Sequence, residues 1–275
     1  MILDGHIHIG KKMDEKREFM QNLEKAGVDG GIVLSYSPPV FEGRRPGRDD
    51  AARRIAQVMD YTAGHDTLFP FFFIDPTEAD ATDQVDQAVG AGIRGFKVIC
   101  GHHYPQDERA MPVYAKIASL NKPILFHSGI LYSRSPSGEY NRPCNYEYLF
   151  TIDKLRFALA HVSWPWCDEL IAVFGKWNHF YAGGRPDGYT SKMYVDLTPG
   201  TPSIYREETL TKLIRVGYEN LPDQMIFGSD CTSAYSSAYA AGIIAGDNSI
   251  YDKLGVAREA RDKIFGENLL SFIEG

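Results

Sequence analysis

The first apolar segment of the sequence carries polar side chains at every second position, Asp4-Gly5-His6-Ile7-His8. Side chains alternate along a β-strand, so we expect His6 and His8 to point to the same side, together with Asp4. Two imidazoles on one rigid strand are suited to bind zinc, iron, nickel and related ions. An H-x-H pair alone also fits two polar residues near a strand end, so other segments must decide.

Three further polar residues stand at or near the ends of apolar segments far along the chain. His127 closes the run 123–126, His161 lies in the run 158–162, and Asp230 closes the run 225–229. A polar side chain in a buried strand is unfavourable unless it is paired, hydrogen-bonded or bound to a metal. Because four of the eight histidines follow this pattern, we predict one functional cluster rather than separate core histidines.

Short apolar segments alternate with longer amphipathic ones along the chain. Most strand candidates are continuously apolar, as expected of parallel strands that are buried on both faces. The predicted strands are 2–9, 31–35, 68–74, 95–99, 123–127, 157–162, 193–197 and 225–228. The predicted helices are 15–26, 49–61, 79–89, 113–120, 146–155, 168–177, 207–216 and 257–265. This order predicts a single α/β domain over residues 1–275, a closed (β/α)₈ TIM barrel, with an open doubly wound sheet as the alternative.

The loops divide between the two ends of such a barrel. Segments 35–48, 100–111 and 128–145 follow strands, which places them on the face where barrel enzymes have their active sites. The segment 181–191 follows a helix and is expected on the opposite face, where it would serve stability or contact between subunits. A homodimer is therefore one possible assembly.

Several motifs resemble the amidohydrolase superfamily. The order of Asp4-x-His6-x-His8, His127, His161 and Asp230 along the predicted strands is similar to that superfamily. The segments 126–129 (FHSG), 161–166 (HVSWPW) and 227–230 (FGSD) resemble the branch that contains aminocarboxymuconate semialdehyde decarboxylase. The closing segment 254–270 also looks like that branch, so the resemblance covers nearly the whole chain.

The resemblance implies a site and a chemistry. One divalent metal ion, zinc by expectation, would be held by residues matching the family's ligands, which are His6, His8, His127 and Asp230. Asp230 would also accept a proton from water, and His161 would be catalytic. Metal in an open site lowers the pKa of bound water to about 7, so the expected reaction is attack of water on a carbonyl or unsaturated carbon.

Two departures and one lysine bear on details of the resemblance. Ser163 stands where a glycine is common in the family, and Cys231-Thr232 replaces the usual continuation after the aspartate. Lys97 lies on the fourth predicted strand, where binuclear relatives carry a carboxylated lysine that bridges two metals. We favour instead a lysine in the barrel interior that pairs with a carboxylate. His102 and His103 follow the same strand in a loop and are expected to be exposed to solvent.

The loops expected above the site are rich in arginine and aromatic residues. Arginine binds carboxylates through two parallel hydrogen bonds, and tyrosine offers both a ring and a hydroxyl group. We therefore predict a small carboxylate-bearing substrate, with loop salt bridges as the alternative role for each arginine. The predicted substrate-binding residues are Arg44, Arg45, Tyr104, Arg142 and Trp164.

Composition narrows the class of protein. The formal net charge is -7 and no long basic run occurs, which argues against nucleic acid as a partner. The four cysteines form no C-x-x-C pair, as expected of reduced thiols in a cytoplasmic protein. We expect neither a signal peptide nor a membrane span.

Three functions remain open. The first is a metal-dependent hydrolase that acts on an amide, ester or lactone, and a metal-free variant of it is conceivable. The second is a non-oxidative decarboxylase of an aromatic or unsaturated carboxylic acid. The third is a catalytically silent barrel that acts as a binding protein. Release of carbon dioxide would distinguish the second from the first, because fold alone does not determine the reaction.

Overall fold

One parallel sheet organises the computed structural model, which describes residues 1–10, 16–42, 50–133, 136–184 and 188–275. Its first eight strands pair in chain order, and the ninth pairs with the first. They are β1 (Leu3–His8), β2 (Gly30–Leu34), β3 (Leu68–Phe73), β4 (Gly95–Val98), β5 (Ile124–Phe126), β6 (Leu155–Leu159), β7 (Ser191–Asp196), β8 (Met225–Ile226) and β9 (Cys231–Thr232).

The eighth strand position is shared by two short pieces, and together they close the sheet. β8 pairs with β7, whereas β9 pairs with β1. Between the two pieces, Phe227 accepts a hydrogen bond from the Gly5 N–H at 2.8 Å, and the Asp230 N–H donates to His6 at 3.1 Å. The segment that joins β8 to β9 is therefore bonded to β1. The predicted (β/α)₈ barrel is confirmed.

Helices connect the strands on the outside of the barrel. They are α1 (Lys16–Ala26), α2 (Asp50–Thr62), α3 (Ala81–Ala91), α4 (Ala110–Ser119), α5 (Cys167–Phe180), α6 (Ser203–Arg215), α7 (Ser237–Leu254), α8 (Arg258–Asp262) and α9 (Asn268–Glu274), with a π-helical turn (Lys263–Glu267) before α9. Short 3₁₀ segments occupy Pro39–Glu42, Pro143–Thr151, Ala160–Ser163 and Leu221–Asp223. None of the described helices has both the length and the apolar composition that crossing a bilayer requires.

Two helix predictions differ from the structure. The helix predicted over 146–155 is a 3₁₀ segment that ends at Thr151, and Leu155 already begins β6. The long helix α7 was not predicted, because Gly242 and Gly246 weaken helix propensity and its apolar residues form no clear stripe. It is nevertheless capped at its start by the Ser236 side chain, which accepts a hydrogen bond from the Tyr239 N–H.

Two apolar layers hold the barrel together. The larger one lies between the sheet and the surrounding helices. The smaller one fills the interior with side chains such as Phe71, Leu125 and Tyr194, and Phe272 of α9 packs into it. The Arg156 guanidinium anchors α9 there by donating to the Phe272 carbonyl at 3.0 Å. Apolar side chains and α9 fill the end of the barrel where the strands begin. Polar side chains that could form a functional site are therefore expected at the opposite end.

Candidate metal centre

A β-bulge in β1 sets the directions of the first-strand side chains. The pairing of β1 with β2 shifts register between Asp4 and Ile7, and one extra residue in a strand changes which side chains share a face. The His6 and His8 Nε2 atoms lie 3.2 Å apart, as the alternation predicts. Asp4 does not join them, because its carboxylate accepts hydrogen bonds from the Ser229 N–H at 2.9 Å and the Tyr235 hydroxyl at 2.8 Å.

Three potential ligand atoms converge at the end of the barrel where the strands finish. The His8 Nε2 atom is 3.2 Å from Asp230 Oδ1, and the His6 Nε2 atom is 3.7 Å from the same oxygen. Around a tetrahedral zinc with bonds of ~2.0–2.2 Å, ligand atoms lie roughly 3.3–3.6 Å apart. The separations among His6, His8 and Asp230 fit one such ion.

Asp196 fixes the orientation of the His6 ring. The His6 Nδ1 atom lies 2.8 Å from Asp196 Oδ2, and both side chains are buried. Metal-binding histidines commonly donate their second ring N–H to a carboxylate, which leaves the other nitrogen free to bind the ion. Asp196 was not selected from the sequence. It ends the buried strand β7 in the same way that Asp230 follows β8, and this signal could have identified it.

Lys97 reaches the same cluster from β4. Its side chain is fully buried, and Nζ lies 3.3 Å from His6 Nε2. Among the described residues, no carboxylate lies within ion-pair distance of Lys97, so the expected pairing with a carboxylate is not observed. Burial lowers the pKa of Lys97 to about 8, although the charges of Asp196 and Asp230 act in the opposite direction.

His127 and His161 extend the cluster through ring contacts. The His161 ring centroid is 5.2 Å from that of His6 and 4.9 Å from that of His127. His161 also offers a nitrogen within 4.8 Å of donor atoms of His6 and Asp230. Buried nitrogens of both rings, His127 Nε2 and His161 Nδ1, have no hydrogen-bond partner among the described residues. Such unpartnered atoms fit a site that binds a ligand, and the role of His127 as a metal ligand stays a prediction.

The backbone is strained where these side chains leave the sheet. Strand β6 ends at Leu159, before the predicted end, and His161 lies in a 3₁₀ turn. His161, Val162, Ser163 and Asp230 all have positive φ, between 46° and 61°. Residues other than glycine rarely adopt this conformation, and it concentrates at functional sites. At Ser163, where the resemblance led us to expect a glycine, the positive φ is a conformation that glycine adopts without steric cost.

Electrostatics keep these groups in the protonation states that metal binding needs. Burial lowers the pKa of His161 to about 3 and holds those of His6 and His127 well below the ordinary value. Burial alone would raise the pKa of Asp230, but the hydrogen bond with His8, and the charges that His6 and His161 carry once they are protonated in acid, lower it overall. At neutral pH the three rings are therefore neutral and the carboxylate is ionised, as metal ligands must be.

Gly200 packs directly against His161, which makes it a sensitive probe of the site. A Cβ at this position would lie 2.7 Å from His161 Cβ and 3.1 Å from Cγ. We expect Gly200→Ala to destabilise the protein by about 1–3 kcal/mol, as overpacking typically does, and to reduce activity by displacing the ring. Gly242→Ala is the matched control, because nothing lies within 4 Å of its added Cβ. Equal unfolding free energies and activities for the two variants would contradict this prediction.

The predicted substrate-binding residues lie apart from the histidine contacts. Arg142 forms an ion pair with Glu169 at 2.5 Å, which is the loop salt bridge weighed as its alternative role. The Tyr104 hydroxyl donates to Glu139 at 3.1 Å, and Trp164 stacks on a tyrosine at 5.0 Å between ring centroids. Arg44 and Arg45 lie outside the described residues. Substrate binding by these five residues stays a prediction.

Comparisons with known proteins identify the family and the fold of the chain. A family model described as Amidohydrolase matches residues 5–268, and no curated protein matches the chain. The fold resembles a probable 2-pyrone-4,6-dicarboxylic acid hydrolase from Acinetobacter baumannii, with a TM-score of 0.63 and 12% identity over 99% of this chain and 98% of that one.

Two further solved structures share the fold. Amidohydrolase 2 from Bifidobacterium longum subsp. infantis aligns with a TM-score of 0.59 and 11% identity over 100% of this chain and 99% of that one. A dihydroorotase from Campylobacter jejuni aligns with a TM-score of 0.60 and 14% identity over 98% and 82%. Because the family model matches nearly the whole chain, this protein belongs to the amidohydrolase family that the model describes.

Proposed function

We propose that this chain is a metal-dependent hydrolase that adds water to a carbonyl or unsaturated carbon of a small, carboxylate-bearing substrate. The observation that carries the proposal is the convergence of His6 Nε2, His8 Nε2 and Asp230 Oδ1 within 3.7 Å of one another. The hydrogen bond of His6 to Asp196 supports it, because that bond leaves the Nε2 lone pair directed at the same place.

The donor set suits one divalent cation, with zinc as our first choice. Imidazole nitrogens and carboxylate oxygens are the ligands of catalytic zinc sites. We assign His6, His8 and Asp230 to the ion, and His127 joins them in the proposal because its buried Nε2 has no partner among the described residues. When bound, such an ion polarises a substrate carbonyl and makes water a better nucleophile at neutral pH.

Asp230 and His161 supply the proton chemistry in this proposal. Asp230 is ionised at neutral pH, and its side chain is 38% exposed, so it can accept a proton from attacking water. His161 is neutral at neutral pH, and its buried Nδ1 can exchange a hydrogen bond with the substrate or with the departing group. The Lys97 Nζ atom lies 3.3 Å from His6 Nε2. Its positive charge would stabilise the negative charge that develops on the substrate oxygen during attack by water.

The carboxylate on the substrate is the part of the proposal that rests on sequence. In the sequence, Arg44 and Arg45 stand between β2 and α2, and segments that follow barrel strands commonly carry active-site residues. Arg142 is engaged by Glu169, so the first two arginines are the stronger candidates. Kinetics on a carboxylated substrate that stay unchanged after Arg44→Ala and Arg45→Ala would remove the carboxylate from the proposal.

Metal content provides the direct test of the site. We expect His6→Ala protein to hold one equivalent of divalent ion fewer than wild type, measured by elemental analysis after purification, and to lose hydrolytic activity with it. The control is His65→Ala, which removes a histidine that lies in a turn after α2. Equal metal content in His6→Ala and wild-type protein would exclude the proposed ligand set.

A non-oxidative decarboxylase is the second candidate, favoured by the motifs 126–129 and 161–166. A screen of lactones and of aromatic and unsaturated acids separates the candidates. Release of acid without carbon dioxide supports the hydrolase, and release of carbon dioxide supports the decarboxylase. Metal binding without turnover of either class would instead favour a binding protein.

A further inference from the structure

A second group of potential ligands lies beyond β3 and β4. Asp75 follows β3, and His102 and His103 follow β4. The two strands are neighbours, and the Ile74 N–H donates to the Lys97 carbonyl at 3.0 Å, which brings the segments after them together. Asp75, His102 and His103 each offer one ligand atom, and these atoms lie within 4.8 Å of one another. We call this group the outer cluster.

The Asp75 carboxylate is held by one oxygen and presents the other to an imidazole. Oδ1 accepts hydrogen bonds from the Thr77 N–H at 3.0 Å and the Thr77 hydroxyl at 2.8 Å. Oδ2 lies 3.5 Å from His102 Nε2, which is also 3.2 Å from the Thr77 hydroxyl oxygen. The carboxylate is therefore oriented by Thr77, and its second oxygen is free to share a cation with His102.

His103 is the strongest indication that the outer cluster binds something. The residue is only 3% exposed, contrary to the exposure expected from its loop position. Neither ring nitrogen has a hydrogen-bond partner among the described residues, and burying polar atoms in this way is unfavourable unless something binds them. Burial lowers the pKa of His103 to about 4 despite the opposing charge of Asp75, so the ring is neutral and its lone pair is available.

The ring of His102 lies beside that of His103, with 5.0 Å between centroids. The His102 side chain is 41% exposed, which leaves a path by which an ion can reach the cluster. Asp107 also acts on His103 electrostatically, but the Arg109 guanidinium binds it at 2.8 Å. Asp75 is therefore the carboxylate that remains available to a cation.

We propose that Asp75, His102 and His103 form a second metal site, for zinc or a similar divalent ion. Two imidazole nitrogens and one carboxylate oxygen are ligands that zinc accepts, with a further position open to water. The outer cluster shares no residue with the His6, His8 and Asp230 site. A bound ion would link the segment after β3 to the loop after β4 and satisfy the buried nitrogens of His103.

Isothermal titration with zinc tests the proposal on the full chain after treatment with a chelator. We expect wild-type protein to bind two equivalents, His102→Ala one, and the His6→Ala, His102→Ala double variant none. His179→Ala is the matched control, because it removes an exposed histidine from α5, and it should bind two. The His6→Ala single variant tests the proposed function separately, so failure of one site is distinguishable from failure of the other.

Two results would overturn the proposal: wild-type protein that binds only one equivalent, or His102→Ala protein that binds as many as wild type. The second result would also place any second ion outside the outer cluster. Circular dichroism verifies folding of each variant. If His102→Ala does not fold, Asp75→Asn replaces it in the same titration with the same expected loss of one equivalent.

Discussion

Asp230→Asn protein is expected to show a kcat reduced by about 10²–10⁴-fold, the range typical for loss of a general acid or base. The amide cannot accept a proton from water, and it is a weaker ligand than the carboxylate. Asparagine is also the replacement that suits the backbone best, because Asp230 has a φ of 61° and asparagine tolerates this conformation better than most residues. The expected loss is therefore chemical rather than conformational, and steady-state kinetics with metal analysis will measure it.

The control for this variant is Asp262→Asn, an exposed aspartate on α8 that lies 3.7 Å from an arginine. Its kcat should equal that of wild type. If Asp230→Asn retains wild-type kcat with its metal content unchanged, Asp230 is neither the proton acceptor nor an essential ligand. A similar loss in both variants would point to general destabilisation instead.

Acidification from pH 7 to pH 5 is expected to lower the unfolding free energy of the chelator-treated protein, and His161 and His103 together account for about 2–4 kcal/mol of the loss. His6 and His127 add to it, because burial also holds their pKa values well below the ordinary value. Burial lowers the pKa of His161 to about 3 and that of His103 to about 4, against an ordinary value of 6.5. Below pH 6.5 the unfolded chain therefore binds more protons than the folded one, and the unfolding free energy decreases as the pH decreases. Each histidine contributes about 2 kcal/mol at pH 5.

Two buried carboxylates, Asp4 and Asp196, oppose this trend, because burial raises the pKa of each. Burial raises the pKa of Asp4 to about 6 from 3.8, so the folded state gains stability as Asp4 takes up its proton between pH 6 and pH 4. This offsets the histidines by about 1 kcal/mol at pH 5, which is less than their combined effect. We therefore expect urea denaturation at pH 7 and at pH 5 to show a net loss of unfolding free energy at the lower pH.

His161→Asn tests the origin of the pH dependence, since it should remove about 2 kcal/mol of the difference between pH 7 and pH 5. His179→Asn, an exposed histidine at the end of α5, serves as the control and should leave the difference unchanged. Stability that is constant or rises toward pH 5 in the wild-type protein would contradict the burial of neutral histidines.

Local sequence was sufficient to predict the barrel and the proximity of His6, His8 and Asp230. Continuous apolar runs mark parallel strands because both of their faces are buried, and eight of them with intervening helices leave few architectures. His6, His8 and Asp230 were recognisable because a polar residue at the end of a buried run requires a partner. The alternation within β1 depends only on strand geometry, so the proximity of His6 and His8 followed from the sequence.

Contacts between distant segments determined structural features that no local sequence pattern encodes. The bulge in β1, which separates Asp4 from the two histidines, arises from pairing with β2. The contact of Asp196 with His6 joins residues 190 positions apart, and the burial of His103 depends on how the segments after β3 and β4 meet. A sequence specifies each strand's own geometry, whereas register and burial depend on neighbouring strands. The periodicity of residues within one segment therefore predicts which side chains share a face, but it does not predict which atoms come within bonding distance.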